Sequence, residues 1–501
     1  MSLKSFAAKW LAKRAVNAQY RDAANAVELQ KETLKRLLRE AADTEFGRDH
    51  GFNLIGNPID FSKRVPVRDY EELRPYIDKM VKGKENVLWP GKPIYLSKTS
   101  GTTSGTKYIP ISRESMRHHI VAARNALLCY IFHTGKTAFV DHKMIFLQGS
   151  PELDKTGAIP TGRLSGIAAN YVPSYLQRNR LPSYDTNCIE DWEQKVDKIV
   201  DETSVQDMGL ISGIPSWVQM YYEKLVKKFN KPVGEIFPHF SLFVYGGVNF
   251  EPYRKRFMEL VGREIDTIET YPASEGFIAF QDLPSAEGLL LNINAGIYFE
   301  FVPVSELSQS NPKRLGLEEV KIDENYAIIL STNAGLWAYN IGDTVKFVSL
   351  NPYRIKVTGR IKHYTSAFGE HVIAEEVDTA MQMAISATDA QVTEFTLAPQ
   401  TAPETGLPYH EWLIEFAREP SDWQKFISTL DKSLQDKNTY YKDLIVGNVL
   451  RPLVVTRLKT GAFNEFMKSQ GKLGGQNKVA RLQNNRTIAE GLLPFAVGSI
   501  F

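Results

Sequence analysis

The sequence is poor in cysteine, lacks long apolar runs and shows no surplus of either charge. Its 501 residues include only two cysteines, Cys129 and Cys188, which fit neither a metal-ligand motif nor a disulfide framework, so a reducing cytoplasm is expected. No run reaches about 18 consecutive apolar residues, and no membrane-spanning helix is therefore expected. The 60 lysines and arginines nearly balance 58 aspartates and glutamates, without the basic surplus typical of nucleic-acid-binding proteins. We expect a cytoplasmic monomer that acts without a membrane or nucleic-acid partner.

Two common kinds of active site are also missing. The nine histidines show no metal-site spacing, so His142 is interpreted as an ordinary surface residue or as one that supports a site without touching its ligand. The dipeptide Ser212-Gly213 lacks the flanking glycine pattern of a nucleophile elbow. The sequence therefore predicts neither a histidine-rich metal centre nor a serine triad.

The length and composition predict two domains with substantial cores. Hydrophobic residues make up 43% of the chain, and helix and strand signals alternate along it. We predict an α/β (mixed α+β) protein. Residues 1–362 form a large N-terminal domain with several β-sheets flanked by helices, and residues 363–501 form a smaller mobile C-terminal α+β domain. Ile297–Pro303 has the character of a buried strand, and Ile214–Phe229 that of a helix with Pro215 in its first turn.

The N-terminal segment invites two interpretations. Residues 1–21 contain five basic and no acidic residues, as organellar transit peptides do. However, Phe6, Trp10 and Leu11 share one helical face, and a helical pattern resumes beyond them. A first helix that docks on the main domain is the preferred prediction.

Residues 97–110, SKTSGTTSGTKYIP, combine hydroxyl side chains, glycines and a lysine. Small residues let backbone N–H groups reach an anion, and hydroxyls add donors. A lysine supplies a compact charge for a phosphate. The segment therefore predicts a loop that closes over a triphosphate, whereas the alternative is a Ser/Thr/Gly-rich surface loop. It is not the common mononucleotide loop, because Thr106 and Tyr108 flank the lysine where that motif requires glycine and Ser/Thr.

Four weaker signals accompany this loop. Glu275 ends Tyr-Pro-Ala-Ser-Glu after a predicted strand, where a carboxylate can hold Mg²⁺ beside phosphates. Asp343 ends Tyr-Asn-Ile-Gly-Asp and could accept hydrogen bonds from a ribose diol. Gly246 and Gly247 could let a planar base approach the backbone, and Lys478 lies in a glycine-flanked basic loop. Each signal taken alone also has an ordinary structural explanation. These are, in the same order, a strand cap, a turn dipeptide, a plain turn and a solvated loop.

Taken together, these segments resemble the adenylate-forming enzymes, whose phosphate loop reads T-S-G-T-T-G-x-P-K. Residues 99–107 read TSGTTSGTK. The closer resemblance is to the Gretchen Hagen family of acyl acid amido synthetases, the auxin-responsive proteins and their bacterial relatives, which follow the loop with Y-x-S-S-E-like and Y-R-x-G-D-like motifs. The order and spacing match from about residue 30 to 490. Ala273 and Asn340 depart from these motifs, so plant substrates are not transferred.

The resemblance implies a ligase that uses ATP and Mg²⁺ to adenylate a carboxylic acid and then joins the acyl group to an amine, usually that of an amino acid. It implies catalytic roles for Lys478 and for the metal-binding Glu275. The implied nucleotide-binding residues are Ser100, Gly101, Thr102, Thr103, Lys107, Gly246, Gly247, Tyr271, Ser274, Asp343 and Arg360. Two alternatives stay open: transfer of the acyl group to coenzyme A, and a silent nucleotide-binding sensor or scaffold.

Overall fold

A computed structural model provides the structure of the protein. It describes residues 2–500 except 101–105, 158, 172–176, 190, 308, 310–311, 362–363, 366, 369, 371, 404, 474–477 and 484.

The described helices span the following residues, numbered in chain order: α1 Leu3–Ala24, α2 Ala26–Ala41, α3 Glu45–Asp49, α4 Pro58–Arg64, α5 Tyr70–Val81, α6 Arg113–Thr134, α7 Leu164–Ala169, α8 Tyr184–Cys188, α9 Trp192–Thr203, α10 Pro215–Phe229, α11 Val233–Ile236, α12 Glu251–Val261, α13 Ala374–Ala387, α14 Trp423–Lys437, α15 Thr439–Val446, α16 Ala462–Ser469 and α17 Thr487–Leu492. Short 3₁₀ turns occupy Phe52–Leu54, Ala138–Asp141, Val304–Glu306, Leu317–Glu319 and Leu493–Phe495.

The described strands span the following residues: β1 Tyr95–Ser100, β2 Thr106–Ile111, β3 Lys143–Phe146, β4 Asp154–Thr156, β5 Ile159–Gly162, β6 Arg180–Leu181, β7 Met208–Ser212, β8 Leu242–Gly246, β9 Asp266–Ala273, β10 Gly276–Phe280, β11 Leu289–Leu291, β12 Ile297–Pro303, β13 Asn325–Thr332, β14 Tyr339–Leu350, β15 Tyr353–Arg360, β16 Tyr364–Thr365, β17 Val372–Ile373, β18 Gln391–Gln400, β19 Tyr409–Arg418, β20 Val454–Leu458 and β21 Ala496–Ile500. The helices and large sheets confirm the mixed α+β prediction.

The chain divides into two compact units that are not continuous in sequence. The first consists of Met1–Gly213, Phe237–Gly247 and Ile265–Val357, and the second of Ile214–Ile236, Val248–Glu264 and Thr358–Phe501. Helices α10, α11 and α12 therefore belong with the C-terminal part of the chain. The boundary predicted between residues 362 and 363 stays a prediction.

The first unit is organised around a large sheet with the strand order β12-β13-β14-β15-β11-β10-β9-β8-β7-β3-β6. Strands β6, β3, β7, β8 and β9 run parallel, whereas β9, β10, β11 and β15 pair antiparallel. The sheet therefore changes from parallel to antiparallel pairing at β9. A second sheet with the order β2-β1-β5-β4 carries the hydroxyl-rich segment.

The first helix docks through small residues rather than through its large apolar ones. Ala12 and Val16 of α1 are buried in clusters that include residues of α6, because small side chains let two helix backbones approach closely. By contrast, 69% of Phe6, 60% of Trp10 and 45% of Leu11 are exposed. The predicted docked helix is confirmed, but its bulky apolar face lies in solvent.

The second unit has its own sheet and core. Strands β18, β19, β20 and β21 form a four-stranded sheet in that order. Its core includes Phe395 and Trp412 from the sheet, Met381 from α13 and Phe426 from α14. Helix α13 and helix α14 thus pack on this sheet through its apolar side chains.

Candidate active site

The carboxyl ends of the parallel strands lie at one edge of the large sheet. Because β3, β7, β8 and β9 run in the same direction, the segments that follow them meet there. β9 ends at Ala273, which pairs with Gly276 at the start of β10. Ser274 and Glu275 are therefore the two residues of a tight turn, and Glu275 is partly buried in it. Open α/β sheets bind ligands outside the carboxyl ends of their strands.

The predicted phosphate segment begins and ends on an antiparallel hairpin. Thr99 of β1 pairs with Lys107 of β2, and Ser100 pairs with Thr106. The intervening Gly101, Thr102 and Thr103 lie outside the described residues. The pairing of β1 with β2 brings Lys107 back beside Thr99, as a phosphate cradle requires.

An aromatic residue from α5 supports the lysine. The Nζ atom of Lys107 lies 5.4 Å from the centre of the Tyr70 ring. The Tyr70 hydroxyl accepts a hydrogen bond from the backbone N–H of Tyr108 at 2.9 Å, and burial raises the pKa of the Tyr70 hydroxyl. The tyrosine is therefore neutral and holds β2 in place beneath Lys107.

A hydroxyl pair joins this hairpin to the turn that carries Glu275. The Oγ atoms of Ser97 in β1 and Ser274 lie 2.8 Å apart. Ser97 is fully buried and Ser274 is partly exposed, so this hydrogen bond is partly shielded from competing water. The contact connects β1 of one sheet to the β9–β10 turn of the other.

A second hydrogen bond joins β9 to the predicted ribose carboxylate. The buried Tyr271 hydroxyl donates to Oδ2 of the partly exposed Asp343 at 2.6 Å. The bond fixes Oδ2 and thereby orients the whole carboxylate group, including its other oxygen. Tyr271 and Ser274 thus lie near the same end of β9. Tyr271 bonds to the segment of Asp343, and Ser274 bonds to the β1–β2 hairpin.

A local turn within β14, where its pairing register with β13 shifts, presents Asp343 and is held by local bonds. Asn340 Oδ1 accepts the backbone N–H of Gly342 at 2.9 Å, and Gly342 has a φ of +85° that favours glycine. On the other side, the backbone N–H of Asn340 donates to the carbonyl of Arg68 at 2.8 Å. Asn340, which replaces the arginine of the resembled motif, therefore shapes the turn through its amide oxygen.

The glycine pair after β8 has a packing reason. A Cβ on Gly246 would lie 2.4 Å from the carbonyl oxygen of Thr270 in β9, which no side chain can occupy. Gly247 has a φ of +84°. The close approach of β8 to β9 requires Gly246, and its predicted contact with a nucleotide base stays a prediction.

In the second unit, Lys478 precedes a firmly anchored segment. Lys478 itself is exposed. The carbonyl of Ala480 accepts a hydrogen bond from Oγ1 of Thr396 at 2.8 Å. The carbonyl of Arg481 accepts one from the backbone N–H of Leu397 at 2.8 Å. Arg360 is the exposed last residue of β15 and is grouped with this unit.

The Arg481 side chain is buried in a network of acids. Its guanidinium pairs with Glu394, lies 3.2 Å from Oδ1 of Asp378 through Nε, and contacts the hydroxyl of Tyr253. Burial raises the pKa of Asp378 to about 6, although the positive Arg481 opposes this change. The network fixes the main chain three residues beyond Lys478.

Sequence reasoning missed several residues that organise the site. Ser97 stood within the hydroxyl-rich segment but has no motif of its own. Tyr70 and Arg68 lie in a proline-rich region and contact the site from a distance in sequence. Arg481 lies three residues after Lys478 in the sequence, but its acidic partners come from distant elements.

The fold is that of the adenylate-forming enzymes. The structure matches the acyl acid amido synthetase GH3.15 in complex with 2,4-DB with a TM-score of 0.79 and 17% identity, covering 98% of this chain and 97% of that chain. It matches 2-hydroxyisobutyryl-CoA ligase in complex with R3-HIB-AMP with a TM-score of 0.55 and 12% identity, covering 96% and 91% of the two chains.

The chain belongs to the GH3 (Gretchen Hagen) family, which confirms the resemblance. It matches the GH3 family N-terminal domain over residues 15–196, the central domain over residues 290–360 and the C-terminal domain over residues 375–487. Jasmonoyl-L-amino acid synthetase JAR4 of Nicotiana attenuata is 25% identical over 392 residues, 64% of this chain and 67% of that protein. Its relative JAR6 from the same plant is 24% identical over 535 residues, 90% and 89% of the two chains. The protein is a ligase of the acyl acid amido synthetase class. Within the described residues, no helix has the length and apolar content needed to cross a bilayer.

Proposed function

We propose that the protein uses ATP to adenylate a small carboxylic acid and then transfers the acyl group to the amine of an amino acid, releasing pyrophosphate and AMP. The observation that carries this proposal is the pair of hydrogen bonds Ser97–Ser274 and Tyr271–Asp343. Together they join three predicted nucleotide-binding segments within one unit. The family relatives support the acceptor class, since their names pair an acid with an amino acid.

The hydroxyl-rich loop would bind the phosphates. In this proposal Ser100, Thr102 and Thr103 donate hydrogen bonds, Gly101 allows close approach of the backbone, and Lys107 neutralises charge. Phosphoryl chemistry is accelerated mainly by positioning and by electrostatic stabilisation. The support of Lys107 by the Tyr70 ring favours a fixed rather than a mobile charge.

The ribose and base would lie along the ends of β8, β9 and the Asp343 turn. Asp343 would accept both ribose hydroxyls, Tyr271 would orient its carboxylate, and Arg360 would assist. Gly246 and Gly247 would lie against the base. The fixed orientation of Asp343 Oδ2 supports this assignment.

The residues at the β9–β10 turn fit a magnesium ion. Mg²⁺ prefers oxygen ligands and often takes one protein carboxylate beside substrate phosphates. Glu275 offers a partly buried carboxylate, and the neighbouring Ser274 hydroxyl is already held by Ser97. When bound, the ion would neutralise charge on the phosphate oxygens.

Lys478 would supply positive charge at the α-phosphate and the bridging oxygen during adenylation. Its anchored neighbour Arg481 supports a defined position for the lysine. The expected variant is Lys478→Ala, which removes the charge and leaves Arg481 in place. Lys472→Ala, an exposed lysine of the same loop, is the matched control.

The experiment measures pyrophosphate release with ATP and Mg²⁺ across a panel of carboxylic acids, with and without pooled amino acids, and identifies products by mass spectrometry. Turnover that yields an amide, and that falls at least about 100-fold in Lys478→Ala but not in Lys472→Ala, supports the proposal. Wild-type rates in Lys478→Ala would refute the role of this lysine.

The same experiment separates the two alternatives. A thioester formed only when coenzyme A is present would identify an acyl-CoA ligase, the activity named for the neighbour at a TM-score of 0.55. ATP binding without turnover on any acid would identify a sensor or scaffold. We also propose a cytoplasmic monomer, which fractionation and size-exclusion chromatography test; the burial of Cys129 and the lack of a disulfide support a reducing compartment.

A further inference from the structure

A second group of polar side chains lies at the amino-terminal edge of the parallel strands. His142 immediately precedes β3, Asp207 immediately precedes β7, and His239 lies three residues before β8. These three strands are parallel neighbours in the order β3-β7-β8. Their amino-terminal ends therefore meet at one edge of the sheet, opposite the edge that carries Ser274.

The three side chains converge on one point. Nδ1 of His142 lies 2.7 Å, and Nδ1 of His239 lies 2.8 Å, from the same Oδ2 atom of Asp207. The two imidazole rings stack with centroids 4.2 Å apart and an interplanar angle of 11°. One potential ligand atom from each residue lies within 4.8 Å of the others. The group therefore has the size of a metal-binding site.

The backbone holds this arrangement in advance. The N–H of Lys143 donates to the carbonyl of Asp207 at 2.8 Å, and the N–H of Ser241 donates to the carbonyl of Gly209 at 3.0 Å. A Cβ on Gly209 would lie 2.9 Å from Cβ of His142, so a glycine at this position lets the His142 segment lie against β7. These contacts tie the segments that carry the three side chains to neighbouring strands of the sheet.

The hydrogen bonds within the group leave one oxygen unsatisfied. Both imidazoles use Oδ2 of Asp207, whereas Oδ1 is shielded from solvent and has no hydrogen-bond donor among the described residues. A shielded carboxylate oxygen without a partner is costly. A cation bound by the carboxylate would supply the missing interaction.

We propose that His142, Asp207 and His239 bind one divalent first-row transition-metal cation, of which Zn²⁺ is the representative. Two imidazole nitrogens and one carboxylate suit such ions, whereas Mg²⁺ prefers a shell of oxygens. Side chains of His239 and Asp207 are 57% and 44% exposed, so water can complete the coordination. The ion would join the segments that precede three neighbouring strands and stabilise this edge of the first unit.

The test titrates the chelator-treated full-length protein with Zn²⁺ in the absence of ATP, using a competing chromophoric indicator. His142→Gln and His239→Gln are the test variants, because glutamine keeps a hydrogen-bond donor near Asp207 but is a poor zinc ligand. His133→Gln is the matched control, since His133 lies outside the group and contacts Tyr20. Wild type and control are expected to bind one Zn²⁺ per chain, and each test variant at least about 10- to 100-fold more weakly.

A second measurement does not depend on the variants. Diethyl pyrocarbonate modifies accessible imidazoles, and peptide mapping by mass spectrometry reports each histidine separately. Zn²⁺ is expected to protect His142 and His239 in the wild-type protein but not His133. Equal Zn²⁺ affinity in the test variants, no stoichiometric binding to wild type, or unprotected His142 and His239 would overturn the proposal.

Discussion

Replacing Tyr271 with phenylalanine removes a single oxygen atom from the proposed nucleotide site. That oxygen donates a 2.6 Å hydrogen bond to Oδ2 of Asp343. Because the Tyr271 ring is buried, phenylalanine fits the same space, and the strand pairing of β9 is unaffected. The variant therefore tests the orientation of the carboxylate separately from its charge.

The expected loss follows from the strength of one charge-assisted hydrogen bond. Such a bond contributes about 1.5–3 kcal/mol, and about 1.4 kcal/mol corresponds to a factor of ten in binding. Since Asp343 is only partly buried, water can replace the phenol, and the lower end of the range applies. We expect the KM for ATP to rise about tenfold in Tyr271→Phe.

The assay compares ATP with 2′,3′-dideoxy-ATP in the pyrophosphate-release reaction. If Asp343 binds the ribose hydroxyls, wild type discriminates strongly between the two nucleotides, and Tyr271→Phe discriminates about tenfold less. Asp343→Asn is expected to lose most of the discrimination. Both variants are expected to bind dideoxy-ATP nearly as well as wild type.

The matched control is Tyr326→Phe, which removes a hydroxyl that donates to Glu324 at 2.9 Å elsewhere in the same sheet. It is expected to leave the KM for both nucleotides unchanged. The reasoning fails if Tyr271→Phe changes the KM for ATP less than about twofold, or raises it equally for ATP and its dideoxy analogue.

Three further predictions concern the stability of the folded protein, measured by urea unfolding of the full-length chain. Gly246→Ala is expected to destabilise by about 1–3 kcal/mol because its Cβ would meet a β9 carbonyl at 2.4 Å; Gly56→Ala, whose Cβ has only a contact at 3.8 Å, is the control, and equal effects would contradict the argument. Arg354→Met leaves the fully buried Asp282 without its ion-pair partner and is expected to cost about 3–5 kcal/mol; the prediction is wrong if the additional change Asp282→Leu restores none of it. Burial lowers the pKa of His119 from 6.5 to about 4, so the unfolded chain takes up the proton first as the pH falls through this window. Wild type should lose about 3 kcal/mol more stability than His119→Gln between these pH values, whereas equal losses in the two proteins would exclude this histidine as the cause.

Local patterns predicted the elements that have strong local signals. Ile297–Pro303 is a run of apolar and aromatic residues, and it forms β12 with the predicted ends. Pro215 favours the first turn of a helix, and α10 begins there. By contrast, no helix was predicted in the proline-rich residues 58–93, which contain α4 and α5. The signal was present, because Asp69 and Glu72 form a capping box at the start of α5.

The candidate site shows the other limit of sequence reasoning. The bonds Ser97–Ser274 and Tyr271–Asp343 join residues that are 177 and 72 positions apart. No local pattern encodes which of many serines or tyrosines will meet, since the sheet order decides it. Asn340 illustrates the point, because the sequence shows it only as a departure from the resembled motif. In the structure its amide oxygen holds the turn of Gly342.

The two edges of the parallel strands explain why sequence motifs indicate the proposed nucleotide site but not the proposed cation site. At the carboxyl edge, the β9–β10 turn contributes Ser274 and Glu275 as neighbours in sequence, so a short motif marks them. At the amino edge, His142, Asp207 and His239 come from three separate segments, and only the order β3-β7-β8 unites them. A strand of five residues such as β7 separates the edges by about 16 Å. A cation at the amino edge would therefore act on the proposed nucleotide site only through the strands, so Zn²⁺ binding and ATP binding should be separable by variants at either edge.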